Sequence, residues 1–292
     1  MTDEPKPDPS QIGGVPDAPF ALAPDPTAIF AARARRFAFL GESGNIGPYL
    51  RFLAAIAEVQ RETCATVPPI AVTGRPAIDR AELAPSPYMD KVLNAFCEKA
   101  ARIDMPDPAR AALDAVAKAG PAARHWLLAN VAQDDIPPDA AAEHLFAAAA
   151  LQIGATCLAG SLNPSDLKPL ATGCCPACGG KPVTSSVVGT GPVKNLRYCT
   201  CATCATQWNE VRIKCLCCGS TKGISYKSVE TDEATVKAEC CDECRSWVKI
   251  LYQVKNRSLD PVADDVGSLG LDLMMRDSGY VRGGFHPFLA GF

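Results

Sequence analysis

Between residues 25 and about 160, apolar positions recur every three to four residues, the spacing of one helix face. Asp25-Pro26 supplies a capping side chain and a proline at the first helical position, opening DPTAIFAARARRFAFL with Ile29, Phe30, Phe37 and Leu40 on its stripe. PYLRFLAAIAEVQRETC (48–64) places Leu50, Leu53, Ile56 and Val59 on one face. Ser86-Pro87 opens a helix through Cys97. Asp107-Pro108 opens the next, with Leu113 and Val116 apolar, and Gly120-Pro121 ends it. A further helix is expected from near Asp139 to Gly160. Residues 1–24 hold many Pro, Asp and Gly without periodic apolar positions, and disorder is expected there. SLNPSDLKPLATG (161–173) reads as a linker.

From residue 174 the period changes. Short runs rich in Val, Thr, Tyr and Ser (VTSSVV, ISYKSVE, WVKILYQV) read as strands separated by Gly and Lys turns. DPVADDVGSLGLDLMMRDSG then reads as a helix, with Asp260-Pro261 at its start and Gly279 just past its end. The expected fold is an α+β multidomain chain. An all-helical N-terminal bundle (25–160) is followed by two tandem rubredoxin- or zinc-ribbon-like small β modules (174–213 and 214–257). A C-terminal helix and tail (258–292) close it. The tail segment FHPFLAGF offers apolar anchors, for docking a partner or for packing on its own chain.

Cysteine separates the two halves more sharply than periodicity does. Only Cys64, Cys97 and Cys157 of the fifteen precede residue 174, and the other twelve lie between Cys174 and Cys244. Four C-x-x-C pairs can be drawn: Cys175/Cys178, Cys201/Cys204, Cys215/Cys218 and Cys241/Cys244. The second two pairs repeat the first two after 40 residues, so each half reads C-x2-C-x22-C-x2-C. Gly179 repeats as Gly219, and strand-like QWNEVRI repeats as SWVKILY. Cys174, Cys199, Cys217 and Cys240 have no counterpart in the repeat, which argues that only the eight paired cysteines are ligands.

The chemistry follows from geometry. Two cysteines three apart on a tight turn aim both sulfurs at one ion, and two such turns complete a tetrahedral S4 site. A glycine after the second cysteine lets the turn close with positive φ, freeing loop amides to donate to sulfur. Cys175, Cys178, Cys201 and Cys204 are assigned to site one, and Cys215, Cys218, Cys241 and Cys244 to site two. A cross-braced pairing is the alternative, disfavoured by the duplication of a complete unit. Two ions per chain are expected, either mononuclear rubredoxin-type iron or zinc, which spacing alone does not separate. Iron–sulfur clusters are less favoured, and a closed S4 site leaves no position for a hydrolytic water. The plainest reading is that both ions staple a small β module with little core of its own. The other reading is redox.

Composition removes several function classes. The formal net charge is −3 and the N-terminus is acidic and proline-rich, unlike a secretory signal. The most apolar stretch, LFAAAALQIGATCLAG (145–160), is short for a membrane span and reads as a buried helix, so no stable membrane insertion is expected. A cytoplasmic location follows, where fifteen cysteines point to metal rather than disulfides. Residues 174–255 hold eleven Lys and Arg against seven Asp and Glu, an excess that two S4 sites at about −2 each cancel. Without a basic stripe, nucleic-acid binding is disfavoured. No phosphate loop and no G-x-S-x-G motif is present, and His125 and His144 read as packed side chains. No catalytic residue is assigned, and the chain is expected not to be an enzyme.

The stretches CPACG (175–179), LRYCTCATCATQW (196–208), VRIKCLCCG (211–219) and KAECCDECRSWVKILYQ (237–253) resemble the formate dehydrogenase accessory protein FdhE family. VADDVGSLGLDLMMRDSGY (262–280) and HPFLAGF are similar to its C-terminal segment, and PYLRFLAAIAEVQ (48–60) to its helical half. Cys174, Cys199, Cys217 and His286, where asparagine is expected, depart from the pattern. The resemblance implies a cytoplasmic helper in maturation of respiratory formate dehydrogenase. Its implied partner is the molybdenum- or tungsten-containing catalytic subunit, and its implied cofactor is rubredoxin-type iron at the eight paired cysteines, with docking gated by redox state. The alternatives are a rubredoxin-like electron carrier and a purely structural zinc-ribbon interaction module.

Overall fold

The computed structural model describes residues 18–190, 193–229, 231 and 233–290. Seven helices form the N-terminal half: α1 (Pro26–Leu40), α2 (Gly47–Cys64), α3 (Arg80–Leu83), α4 (Pro87–Ala100), α5 (Asp107–Lys118), α6 (Pro121–Ala132) and α7 (Ala141–Gly160). The expected caps are in place: Asp25 Oδ1 accepts from Ala28 N at 2.9 Å and Ser86 Oγ from Met89 N at 3.2 Å. Two helices were not expected. The short α3 is capped by Asp79. The pair Gly120-Pro121 is a start as well as a stop, with Pro121 in the first turn of α6.

Five of these helices wrap α7. Preceded by a 3-10 turn at Pro138–Ala140, the helix spans the expected residues, and the stretch 138–160, unlike the apolar run 145–160 alone, is long and apolar enough to cross a membrane. It is instead the core helix of the bundle. From Phe146 to Ala159 every residue is buried, against α1, α2, α4, α5 and α6.

The second half is one eight-stranded sheet: β1 (Ala21–Leu22), β2 (Pro182–Thr190), β3 (Val193–Cys201), β4 (Gln207–Glu210), β5 (Ile224–Lys227), β6 (Val236–Cys241), β7 (Ser246–Tyr252) and β8 (Val281–Arg282). Its order is β1-β4-β3-β2-β7-β6-β5, with β8 also on β7. The 40-residue repeat is visible in this order: β2, β3 and β4 form one three-stranded antiparallel unit, and β5, β6 and β7 the other. The two tandem modules are fused. β2 pairs in parallel with β7, Ser185 opposite Ile250 and Val187 opposite Tyr252, so one continuous sheet carries both.

The free edge of β4 recruits the N-terminus. Ala21 and Leu22 pair with Trp208 and Gln207, and Asn209 N donates to Phe20 O at 2.7 Å. Residues 18–24 therefore do not share the disorder expected of the first 24, because an unpaired sheet edge supplies their hydrogen bonds. Residues 1–17 lie outside the described residues.

The C-terminal helix is broken in two, α8 (Ala263–Gly267) and α9 (Leu269–Arg276), at Ser268. Lys249 Nζ, reaching up from β7, donates to the carbonyls of Asp265 at 2.6 Å and Ser268 at 3.2 Å, which a continuous helix would use itself. α8 is clamped to α1 by a bidentate Arg36–Asp264 pair at 2.7 and 2.9 Å. The tail then packs back on the bundle. Phe288 and Leu289 are buried and Tyr49 Oη donates to Phe288 O at 2.6 Å, so these anchors serve the protein's own fold.

Candidate metal centres

The eight paired cysteines gather into two groups of four, Cys175, Cys178, Cys201, Cys204 and Cys215, Cys218, Cys241, Cys244. Within each group all the sulfurs lie within 4.8 Å of one another. The grouping is sequential, as the duplication suggests, and not cross-braced. In each, one knuckle precedes a repeat unit and the other sits in the turn between its second and third strands. The facing sulfurs repeat as well. Cys175–Cys204 is 3.5 Å and Cys178–Cys201 3.4 Å in the first group; Cys215–Cys244 is 3.6 Å and Cys218–Cys241 3.7 Å in the second. A tetrahedral ion with metal–sulfur bonds of about 2.3 Å needs sulfur edges of about 3.8 Å. Both groups fit such an ion with shifts of a few tenths of an ångström.

Backbone conformation explains how the sulfurs converge. Gly179 and Gly219 take φ of 71° and 77°. Their amides donate to the carbonyls of Cys175 (2.8 Å) and Cys215 (3.0 Å), and Cys175 N and Cys215 N close the loops onto Gly180 O and Ser220 O. Ala205 and Arg245, at the equivalent place in the other two knuckles, are also left-handed at 57° and 56°. Amides turned inward meet sulfur: Thr203 N and Cys204 N face Cys201 Sγ at 3.4 and 3.5 Å, and Cys217 N faces Cys215 Sγ at 3.3 Å. Such donors stabilise thiolate over thiol.

The two centres differ in setting. All four cysteines of site one are buried and belong to the main apolar core. Residues 76–80 and α7 cover its knuckles: Ile78 N donates to Ala177 O at 2.9 Å and Gln152 Nε2 to Ala202 O at 2.8 Å. Arg80, paired with Asp134 at 2.7 Å, lies beside Cys178 and Cys201, where its charge offsets the negative charge of a filled S4 site. Site two lies at the surface, with Cys218 exposed and Cys244 half-buried. Arg80 and Asp134 carry no signal in the sequence, because neither stands at a fixed spacing from a cysteine.

The four unpaired cysteines of this half stand outside both groups. Cys199 and Cys240 point from β3 and β6 into apolar packing, where burial pushes their thiols up to about 12 and about 11. Cys174 is half-buried and Cys217 exposed. His144 is a packed side chain, its ring between Ala140 O and Asn130, and His125 is half-buried. Cys64 and Cys157, without partners by spacing, are neighbours in space.

These features define a class: a helical bundle joined to a duplicated sheet module bearing two four-cysteine clusters that could hold two metal ions. Family models for the FdhE N-terminal, central and C-terminal domains match residues 18–172, 174–212 and 213–289. The chain belongs to the FdhE family. It is 50% identical to a protein FdhE homolog of Rhizobium meliloti (strain 1021), with 98% of each chain covered. It is 33% identical to the homolog of Cronobacter sakazakii, covering 93% of this chain and 91% of that one. The crystal structure of the FdhE protein from Pseudomonas aeruginosa superimposes with a TM-score of 0.81 at 27% identity, over 94% of this chain and 99% of that one.

Proposed function

We propose that this protein is a cytoplasmic accessory factor, not an enzyme, that docks the catalytic subunit of a formate dehydrogenase during its maturation. The eight paired cysteines are the metal ligands in this reading, holding two ions that stabilise the docking module. The observation that carries it is the pairing of full-length family membership with two clusters whose sulfurs fit S4 coordination. Iron held by these sulfurs would supply one-electron chemistry, and docking would then respond to the redox state of the centre. This chain's own residues hold the sulfurs, donate amides to them and, at site one, offset their charge through Arg80.

The test is co-purification with the catalytic subunit from cells making both, together with formate dehydrogenase activity in a deletion strain. Normal activity in that strain would overturn the reading. A rubredoxin-like electron carrier is the second reading, favoured by the exposure of Cys218 at site two. It requires reversible iron reduction and turnover with a reductase. Metal analysis with an absorption spectrum of anaerobically purified protein separates red ferric S4 from colourless zinc. Zinc at both sites in iron-replete cells removes the redox gate and leaves docking in place.

A further inference from the structure

The helical domain contains a second thiol arrangement, independent of the clusters. α2 and α7 lie side by side and run in the same direction. The Phe52 and Phe146 rings meet edge-on at 6.2 Å, and Gln60 Nε2 donates to Ala149 O and Gln152 Oε1, both at 3.0 Å. One turn further along each helix, this register brings Cys64, the last residue of α2, against Cys157 of α7. Small side chains line this stretch of α7, with Ala149 at the contact with Gln60 of α2. The two thiols are close enough to influence each other's ionisation, as expected for a pair that shares one proton.

The surroundings suit thiol chemistry. Cys157 and burial push the Cys64 thiol up, and positive charge from Lys99 and Arg33 acts the other way. The buried Tyr88 hydroxyl, without a partner among the described residues, feels both sulfurs. No third His, Cys, Asp or Glu joins the pair within ligand distance among the described residues, so the arrangement is a dithiol rather than a metal site. Access is graded: Cys64 is half-buried, whereas Cys157 is buried.

We infer that Cys64 and Cys157 form a redox-active dithiol that closes reversibly to a disulfide by exchange with a small-molecule disulfide. With the shared proton on Cys157, Cys64 Sγ attacks as thiolate on one sulfur of the oxidant, forming a mixed disulfide and releasing one small thiol. Cys157 Sγ then attacks Cys64 Sγ and displaces the second. The new bond is Sγ–Sγ, the bond broken is that of the oxidant, and the two electrons and two protons of the dithiol leave with two small thiols. The bridge ties the end of α2 to the helix whose Gln152 touches the Cys201–Cys204 turn, so it stiffens the contact between bundle and site one.

The test uses the metal-loaded full-length protein equilibrated with oxidised glutathione, then differential alkylation and peptide mapping. The expected result is loss of two alkylatable thiols per chain, a Cys64–Cys157 linked peptide, full reversal by dithiothreitol and no loss of metal. Cys157→Ser traps one glutathione on Cys64, whereas Cys64→Ser leaves Cys157 unmodified. The inference is overturned if wild-type Cys64 and Cys157 stay fully alkylatable, or if the linked peptide joins either of them to a cluster cysteine. Mapping of the wild type alone decides the matter if a serine variant fails to fold.

Discussion

Each of the four knuckles closes on a residue with left-handed φ, Gly179, Ala205, Gly219 and Arg245. The glycines announce this in the sequence; the alanine and arginine do not, because a side chain in that conformation leaves no compositional trace. Gly219→Ala adds the left-handed penalty and brings a Cβ to 3.3 Å from Thr172 Oγ1. A loss of about 1–2 kcal/mol is expected in denaturant unfolding of the metal-loaded protein. The choice of ligands is more fully legible. Eight cysteines obey both the pairing and the 40-residue repeat, and those eight converge. Cys178→Ser and Cys218→Ser should each lower bound metal from two ions per chain to one. Cys174→Ser, Cys199→Ala, Cys217→Ser and Cys240→Ala should each retain two, as read by elemental analysis. Metal loss in any of the latter four would mean that the repeat misidentifies the ligands.

At the scale of elements, caps were the readable part, as Asp25, Ser86 and Asp260 show by the backbone amides that they accept. α6 was hidden because Gly120-Pro121 serves two helices at once. The break at Ser268 was hidden because its cause lies in another element: Lys249, completely buried, pairs with Asp265 at 2.8 Å and with Asp272. Burial alone would raise the Asp265 carboxyl, but Arg282 and Lys249 hold it down to about 2. Lys249→Met strands the two carboxylates on Arg282, and a destabilisation of roughly 3–5 kcal/mol is expected. His286 makes the tail sensitive to pH. Burial lowers its pKa from 6.5 to about 4, and the neutral ring donates from Nε2 to Val262 O while Nδ1 accepts from Phe288 N. With the folded value depressed, its contribution is fully present above pH 6.5 and is lost as pH falls to about 4. The loss is on the order of 3 kcal/mol. His286→Asn lacks this titration, so the unfolding free energy of wild type should fall relative to it across that window. A constant difference between the two proteins from pH 7 to pH 4 would show that His286 does not titrate with the fold.

For the whole molecule, the sequence shows two ribbons in tandem but not their fusion. Parallel pairing of β2 with β7 joins residues 65 apart at Ser185 and Ile250, and no local pattern marks it. Fusion places the two centres in unequal positions. Site one is held against the bundle through Ile78, Gln152 and Arg80, whereas site two keeps Cys218 in water. The centres also abut: Gly173, just before the first knuckle, lies so close to Leu216 O of the second site's loop that a Cβ would come within 2.0 Å of it. A chelator should therefore strip the metal in two phases. The fast phase belongs to site two, where a ligand can exchange at Cys218 without moving the chain. The slow phase requires the bundle to part from the sheet. If that opening costs about 3 kcal/mol, the phases differ in rate by roughly a hundredfold. Cys218→Ser should lack the fast phase and Cys178→Ser the slow one, which assigns each phase to its site. A single phase with the same rate in wild type and both variants would mean that the bundle gives site one no protection.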